Sequence, residues 1–356
     1  MLLIIGYLTT PTSVTGVSLA EFWAWVRYLA AITPHDADLR LTRSYADLDA
    51  HQKTILSDDF GMGVPIVWLM KNLSLVEIVD GRYFLQRYGA THGVHQHRTA
   101  KRGPNKTPDF VARGHDGKWH ILECKGTQSG EAFRDRQMAS GISQKLSILF
   151  PPGYTGQRLV SGLSIGIEGG NPSHLGIIDP EPEDPVTISE SELGYAKDAA
   201  TRGVMAKLLR STGFETAAEA IAAPFGKPQA MPPSRKKADR ERVDFLANRD
   251  RRAREELRES TSRHQLFGGR YRGREVTFQL PRPIYDHETA ISKVTVRQGI
   301  NMDALDSLRE QPTIETLVEP SSNNWIGMMG TNVIHDDEKS ATLKIGNIFT
   351  SELILE

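Results

Sequence analysis

The sequence predicts an α/β protein in which helices flank a mixed sheet, followed by a charged helix and a β-rich C-terminal region. Two observations carry this prediction. Strand-like and helix-like segments alternate between residues 52 and 222, and short strand-like segments dominate after residue 264. The Pro- and Gly-rich stretch APFGKPQAMPPS separates them. We expect four regions: an N-terminal helical region (1–51), an α/β core (52–222), a linker with a basic charged helix (223–263) and a C-terminal β-rich domain (264–356).

Composition narrows the class of protein. The 356 residues exceed one average domain, and 39% hydrophobic with 24% charged residues is typical of a soluble globular chain. The net charge of −1 means that nucleic-acid binding would need a local basic surface. One cysteine, Cys124, excludes a disulfide framework and a cysteine-based zinc site. We expect a cytoplasmic protein without a signal peptide and without a membrane partner, because the apolar start MLLIIGYLTTPTS is short and lacks a basic region.

The first half of the chain predicts two helices and two strands before the central hairpin. Ser18 to Ile32 reads as a helix with a capping box formed by Ser18 and Glu21. A second helix is expected over DDFGMGVPIVWLMKNLS, entered at Asp58 or Asp59, with Pro65 defining or kinking its first turns. LVEIVD and RYFLQRYG are predicted strands.

The later segments alternate in the same way. TPDFVAR and KWHILECKG predict a hairpin closed at Gly114-His115-Asp116-Gly117. A helix over EAFRDRQMASGISQKLSILF, strands over LVSGLSIGIEGG and HLGIID, and a helix near ELGYAKDAATRGVMAKLLRSTG follow. Beyond the linker we expect a helix over RKKADRERVDFLANRDRRAREELREST, strands over REVTFQLP, SKVTVRQG and TLKIGNIF, and a short helix near DALDSLRE.

The hairpin carries the candidate chemistry. Residues two apart in a strand face the same side, so Glu123 and Lys125 share one face while Cys124 points into the core on the other. The turn brings Asp109 level with Glu123. Two carboxylates suit Mg²⁺, for which Mn²⁺ could substitute, with the Cys124 backbone carbonyl as a further ligand and Lys125 orienting or deprotonating a water. The alternative is an ion pair that only neutralises itself.

Pro108-Asp109 followed on the next strand by Glu123-Cys124-Lys125 resembles the motif of the PD-(D/E)xK nucleases, the restriction-endonuclease-like superfamily. The resemblance covers the α/β unit, not the termini, and the order of a helix, a three-strand meander, a helix and a strand agrees with it. It implies a restriction-endonuclease-like mixed sheet in which Asp109 and Glu123 bind the metal and Lys125 is the catalytic lysine.

Two further positions of the superfamily have counterparts here. Many members carry a glutamine on the helix after the motif; Gln144 is the preferred match, with Gln137 on the same helical face. Many also carry a glutamate on the first helix. Asp58 or Asp59 would be that additional acid, and Glu77 is a weaker choice.

A basic stretch precedes the motif, since no acid occurs from Gly81 to Pro108. We expect its later residues to bind nucleic-acid phosphates; these are Arg98, Lys101, Arg102 and Lys106. The alternatives are a solvated loop or, for HGVHQH, a zinc site. The charged helix is expected to be solvated or interdomain, with a nucleic-acid clamp as the alternative. His115 and His120 read as structural.

The sequence therefore predicts a Mg²⁺-dependent nuclease that hydrolyses phosphodiester bonds, with DNA as the expected substrate. Restriction, phage defence and repair are roles that only the resemblance suggests. A homo-oligomer or a partner protein of a defence system would fit the same reading. The alternative is a catalytically inactive nucleic-acid-binding or scaffold protein that retains the nuclease fold.

Overall fold

The fold is that of a computed structural model, which describes residues 1–12, 23–36, 38–92, 107–143, 148–180, 185–223, 236–259, 263–286, 289–312, 317–318 and 324–356. Its helices are α1 (Leu2–Thr9), α2 (Arg43–Ala46), α3 (Ala50–Leu73), α4 (Gly81–His92), α5 (Glu131–Ser143), α6 (Leu193–Ser211), α7 (Glu215–Ala222), α8 (Lys236–Arg258) and α9 (Met302–Glu310). Its strands are β1 (Arg40–Leu41), β2 (Leu75–Asp80), β3 (Phe110–Gly114), β4 (Trp119–Thr127), β5 (Ile148–Leu149), β6 (Thr155–Ser164), β7 (Gly166–Ile167), β8 (His174–Ile178), β9 (Val186–Thr187), β10 (His264–Leu266), β11 (Tyr271–Asp286), β12 (Thr289–Asn301), β13 (Asn332–Asp336), β14 (Ser340–Ile345) and β15 (Phe349–Leu355).

A five-stranded mixed sheet forms the centre of the α/β core, in the order β2-β3-β4-β6-β8. β3 pairs antiparallel with β2 and β4, β4 pairs parallel with β6, and β6 pairs antiparallel with β8. The predicted mixed α/β fold and the predicted hairpin are thus confirmed. β4 lies in the middle of the sheet, and nearly all of its side chains are buried.

Helices cover both faces of this sheet. On one face α3 approaches β4 so closely that a side chain at Gly126 would overlap the Ser57 carbonyl. On the other face Gly162, the partner of Lys125 on β6, lies against Met138 of α5. The close packing of α3 on β4 and of α5 on β6 thus depends on a glycine in each strand.

The C-terminal region forms a six-stranded antiparallel sheet in the order β10-β11-β12-β15-β14-β13. α1 packs between this sheet and α3, and its apolar residues join one continuous hydrophobic cluster with both sheets. The fully buried Lys207 connects α6 to α1 and β2. Its Nζ donates to the Leu8 carbonyl at 2.9 Å and to Asp80 Oδ1 at 2.6 Å.

Two predicted elements in the first half are wrong. RYFLQRYG is not a strand but most of α4, in which Phe84 stacks on Tyr88 and lies 5.8 Å from the Trp119 ring. Aromatic residues favour strands, but here packing on the sheet selects the helix. α3 begins at Ala50 rather than at Asp58 or Asp59, because the Asp49 side chain caps it by accepting from the backbone of His51 and Gln52. Pro65 therefore lies in the helix interior.

Two predicted helices differ from expectation within the described residues, and the capping box predicted at Ser18 and Glu21 lies outside them. Within Ser18 to Ile32 the described residues form a π-helical turn, Trp23–Arg27, and a 3₁₀ turn, Leu29–Ala31. The helix over residues 131–150 ends at Ser143 among the described residues, and Ile148–Leu149 is a strand that pairs with β9. The strands predicted over LVEIVD, HLGIID, REVTFQLP and SKVTVRQG are present, and LVSGLSIGIEGG is divided between β6 and β7. The strand predicted over TLKIGNIF is wrong, because β14 ends at Ile345 and a turn precedes β15. The helices predicted over 192–213 and 303–310 are present.

The charged helix α8 packs by its C-terminal half. Ala253 and Leu257 are buried, and Glu256 accepts a hydrogen bond from the Ala217 backbone at 2.8 Å. In its N-terminal half Val243 and Phe245 are exposed. This agrees with the interdomain reading of the helix. No helix within the described ranges is long and apolar enough to cross a bilayer.

Candidate active site

The β3–β4 register aligns the predicted carboxylates. Phe110 pairs with Leu122, so Asp109 lies opposite Glu123 where β3 begins. Asp109 Oδ2 accepts a hydrogen bond from the Cys124 backbone N–H at 2.8 Å, while the Asp109 carbonyl accepts from the Gly81 N–H at 2.9 Å. These bonds hold the Asp109 side chain beside the β4 backbone, as the hairpin prediction requires.

Glu123 and Lys125 lie together on the α5 face of β4. Lys125 Nζ is 2.7 Å from Glu123 Oε1; Glu123 is buried, and about a third of the Lys125 side chain is exposed. Burial lowers the pKa of the Lys125 ammonium, but the hydrogen bond and charge of Glu123 outweigh it, so the pKa is raised above its ordinary value. The charges of Asp109 and Asp58 act in the same direction.

The structure separates the two candidate acids on α3. Asp58 is exposed on the helix, and its charge acts on Lys125. Neighbouring protein atoms nevertheless remove part of the solvent around the Asp58 carboxyl, which raises its pKa, and the charge of Lys125 partly offsets the rise. Asp59 is partly buried and accepts a hydrogen bond from the buried Tyr28 hydroxyl at 2.5 Å. Only Asp58 of this pair has an electrostatic contact with Lys125 among the interactions described for that lysine. We name Asp58, Asp109, Glu123 and Lys125 the site cluster.

Two features dock this part of α3 onto the end of β4. Gly61 and Gly126 lie backbone to backbone, so a side chain on either would overlap the other segment. Gln128, just beyond β4, donates to Ser57 Oγ at 3.3 Å and to the Lys53 carbonyl at 3.4 Å. Because Ser57 precedes Asp58, these contacts set the position of the acid relative to Lys125.

Helix α5 covers the Glu123 and Lys125 face. Gln137 is half-buried on this helix, and its Oε1 atom is shielded from solvent without a hydrogen-bond partner among the described residues. Arg134 is buried over Gly162 and Gly176 and donates to the His174 carbonyl at 3.3 Å. The preferred glutamine, Gln144, lies outside the described residues, so its role stays a prediction.

The donor set fits a hydrated magnesium ion. Asp109 and Glu123 supply two carboxylates on adjacent strands, and Mg²⁺ is typically bound by one or two carboxylates with water completing its shell. The Cys124 backbone carbonyl is a further oxygen on the same strand. Within the described ranges no group of three or more His, Cys, Asp or Glu side chains could hold a metal by itself.

Other candidate residues lie elsewhere. Glu77 lies on β2, away from Lys125. It accepts hydrogen bonds from Arg113 Nε at 2.6 Å and from the Thr201 hydroxyl at 2.7 Å. His120 is buried and accepts from the Gln157 backbone through Nδ1 at 3.1 Å, and burial lowers its pKa. Cys124 is buried, as expected of a core residue. The expected phosphate-binding residues Arg98, Lys101, Arg102 and Lys106, and His95 and His97 of HGVHQH, lie outside the described residues.

The sequence did not indicate the roles of Tyr28 and Gln128. Tyr28 comes from a segment remote in sequence, and its hydrogen bond to Asp59 depends on how the turns at Trp23–Arg27 and Leu29–Ala31 fold back on α3. Gln128 follows the motif directly, but no local pattern names its helix partner. Comparisons with protein-family models, with curated proteins and with solved structures return no significant match.

Proposed function

We propose that this chain is a Mg²⁺-dependent nuclease that hydrolyses phosphodiester bonds, with DNA as the expected substrate and a restriction-endonuclease-like core. The observation that carries the proposal is the site cluster. Three carboxylates and one lysine, from two strands and one helix, converge at one end of the central strand pair. Ionisable groups gathered around a partly exposed ammonium, with the pKa of the lysine shifted by its neighbours, are typical of functional sites.

The side chains have distinct roles in this proposal. Asp109 and Glu123, with the Cys124 carbonyl, would hold the metal. Mg²⁺ bound there supplies positive charge that offsets the phosphodiester charge and lowers the pKa of a bound water. The raised pKa of Lys125 favours a protonated lysine, which orients a water or a phosphate oxygen rather than accepting a proton.

Plasmid nicking in Mg²⁺ and in EDTA tests the proposal. The wild-type chain should nick only with Mg²⁺, and Asp109→Asn and Glu123→Gln should abolish nicking while the thermal transition is kept. Asp116→Asn is the matched control, because Asp116 is an exposed acid in the turn of the same hairpin. Equal nicking by Glu123→Gln and wild type would remove the metal assignment.

The rival proposal is a nucleic-acid-binding or scaffold protein that keeps the fold without catalysis. The closed Glu123–Lys125 ion pair is the observation that favours it, because an ion pair can persist without chemistry. Binding of DNA without metal-dependent nicking, on a panel of single-stranded, double-stranded and branched DNA and RNA, would favour this rival. The same panel would identify the substrate class of an active nuclease, on which roles in restriction, phage defence or repair depend.

A further inference from the structure

A short segment of the C-terminal region concentrates positive charge in a chain whose net charge is −1. From Arg263 to Arg274 there are four arginines and one histidine but no acid. The next residue is an acid, Glu275, which is committed to Arg297 on β12 at 2.5 Å. The segment forms the β10–β11 hairpin, which we call the arginine hairpin (residues 263–274).

The turn of the arginine hairpin has an unusual backbone. Phe267, Gly268 and Gly269 have φ angles of 51°, 73° and 80°, so three consecutive residues are left-handed. This conformation is unfavourable for phenylalanine, and such backbone occurs preferentially at functional positions. The Phe267 ring packs edge-on against Tyr271 at 5.7 Å, and a side chain at Gly299 would overlap Tyr271. The turn is therefore fixed by the packing of its aromatic residues.

Hydrogen bonds to neutral groups orient three of the arginines. Arg263 Nη2 donates to the Gly213 carbonyl at 2.5 Å, and Arg272 Nη1 donates to the Arg263 carbonyl at 3.3 Å. Arg274 Nε donates to the amide oxygen of Gln298 at 3.0 Å. The fourth, Arg270, is exposed in the turn immediately before β11. Held in this way, guanidinium groups lose little side-chain entropy when they bind an anion.

A chain of contacts connects the arginine hairpin to the part of α3 that carries Asp58 and Asp59. The Arg274 guanidinium lies 5.9 Å from the centre of the Trp25 ring. Trp25 belongs to the turn that is followed by Tyr28, whose hydroxyl binds Asp59, the neighbour of Asp58. The hairpin therefore contacts one end of the segment Trp23–Tyr28, and the other end of that segment contacts Asp59, the residue next to Asp58 of the site cluster.

We propose that the arginine hairpin binds the phosphate backbone of the nucleic acid beside the site cluster. This inference rests on the proposed function, because the nucleic acid is the substrate of that function. Guanidinium groups bind phosphate through paired N–H donors, and a stretch without acids does not repel the polyanion. Contacts to phosphates carry no sequence information, so the hairpin would position any sequence equally.

Binding measured without cleavage tests the proposal separately from catalysis. In a Glu123→Gln background without Mg²⁺, fluorescence anisotropy with labelled duplex and single-stranded DNA would give affinity at several salt concentrations. Arg270→Gln should weaken binding and reduce the slope of log affinity against log salt by about one unit, and adding Arg272→Gln should reduce it further. The effect should be equal for unrelated sequences.

Arg282→Gln is the matched control. Arg282 is exposed on β11, twelve residues from Arg270 and thus about 40 Å away along an extended strand. Equal salt slopes for Arg270→Gln and Arg282→Gln would overturn the hairpin proposal even if the wild type cleaves DNA. A selective Arg270 effect in a chain that never cleaves would keep the hairpin and remove the nuclease. Failure of the chain to bind either DNA would overturn both.

Discussion

Two clusters of charged side chains in the α/β core are built in opposite ways. The site cluster has three acids around one lysine, and part of the Lys125 side chain is open to solvent. The second cluster, which we name the buried cluster, has two bases around one acid and almost no exposure. Its members are Arg87, Asp198 and Arg202.

The buried cluster connects several secondary-structure elements through hydrogen bonds and ion pairs. Asp198 accepts from Arg202 Nε at 2.9 Å, from Arg87 Nη2 at 3.3 Å and from the Val318 backbone at 2.9 Å. The arginines also donate to main-chain carbonyls, Arg87 to Ala223 at 2.6 Å and Arg202 to Ile221 at 3.3 Å. The cluster thereby joins α4, α6 and α7 to the segment at Val318.

The comparison teaches what charge balance and exposure indicate. Charges that are buried and bonded on several sides stabilise a fold only as a set, so removing one member leaves the others uncompensated. An excess of charge of one sign at a partly exposed position is not balanced within the protein, and it indicates a binding site for a ligand. We therefore expect substitutions in the buried cluster to affect stability and substitutions in the site cluster to affect activity.

The largest effect should come from breaking the buried cluster. Asp198→Ala should lower the free energy of unfolding by about 3–5 kcal/mol, because it leaves two buried arginines without their carboxylate. Chemical denaturation of this variant and of Glu123→Gln measures the contrast. The comparison fails if Glu123→Gln loses as much stability as Asp198→Ala.

The next effect is on catalysis by Lys125, the single lysine of the site cluster. Lys125→Ala should slow nicking by ~10²-fold or more, the usual scale for a positioned acid or base. It should spare Mg²⁺ binding, measured by calorimetry, because the carboxylates remain. Lys118→Ala is the control, since Lys118 lies beside the start of the same strand and is half-exposed. Loss of Mg²⁺ binding in Lys125→Ala would show that the lysine supports the carboxylates rather than the chemistry.

A third effect concerns the basic stretch before the motif. Replacing Arg98, Lys101 and Arg102 with glutamine should flatten the salt dependence of DNA binding by up to about three units. Replacing Arg251 and Arg252 on α8 should matter less, since Arg251 already pairs with Glu255 at 2.8 Å. A larger salt effect in the α8 variant, in binding titrations at several salt concentrations, would move the DNA path to that helix.

The sequence predicted the register of the hairpin that carries Asp109 and Glu123 better than it predicted the elements around that hairpin. Alternation along KWHILECKG and the turn at Gly114 to Gly117 are local signals, and they were sufficient to align Asp109 with Glu123. The strand predicted over RYFLQRYG failed because the rings of Trp119 and Phe150 select a helix there, and no local pattern records them. The separate environments of Asp58 and Asp59 also depend on distant partners, Lys125 and Tyr28.

The smallest effect distinguishes these two adjacent acids. Burial raises the pKa of Asp59, although the hydrogen bond from Tyr28 opposes the rise. A carboxyl group with a raised pKa binds more protons in the folded than in the unfolded state, so it makes stability fall as the pH rises from about 4 through the folded-state pKa. Asp59→Asn keeps an acceptor for Tyr28 and removes the charge. The melting temperature of the variant minus that of the wild type should therefore increase as the pH rises from 4 to 8.

Activity should respond in the opposite order. Asp58→Asn removes a charge that acts on Lys125 and should slow nicking, whereas Asp59→Asn should nick at the wild-type rate because its side chain is engaged by Tyr28. Melting curves and nicking rates of both variants over the same pH range provide the measurement. If Asp59→Asn is the slower variant, the acid that belongs to the site is Asp59. The Tyr28 hydrogen bond is then part of the active site rather than a structural contact outside it.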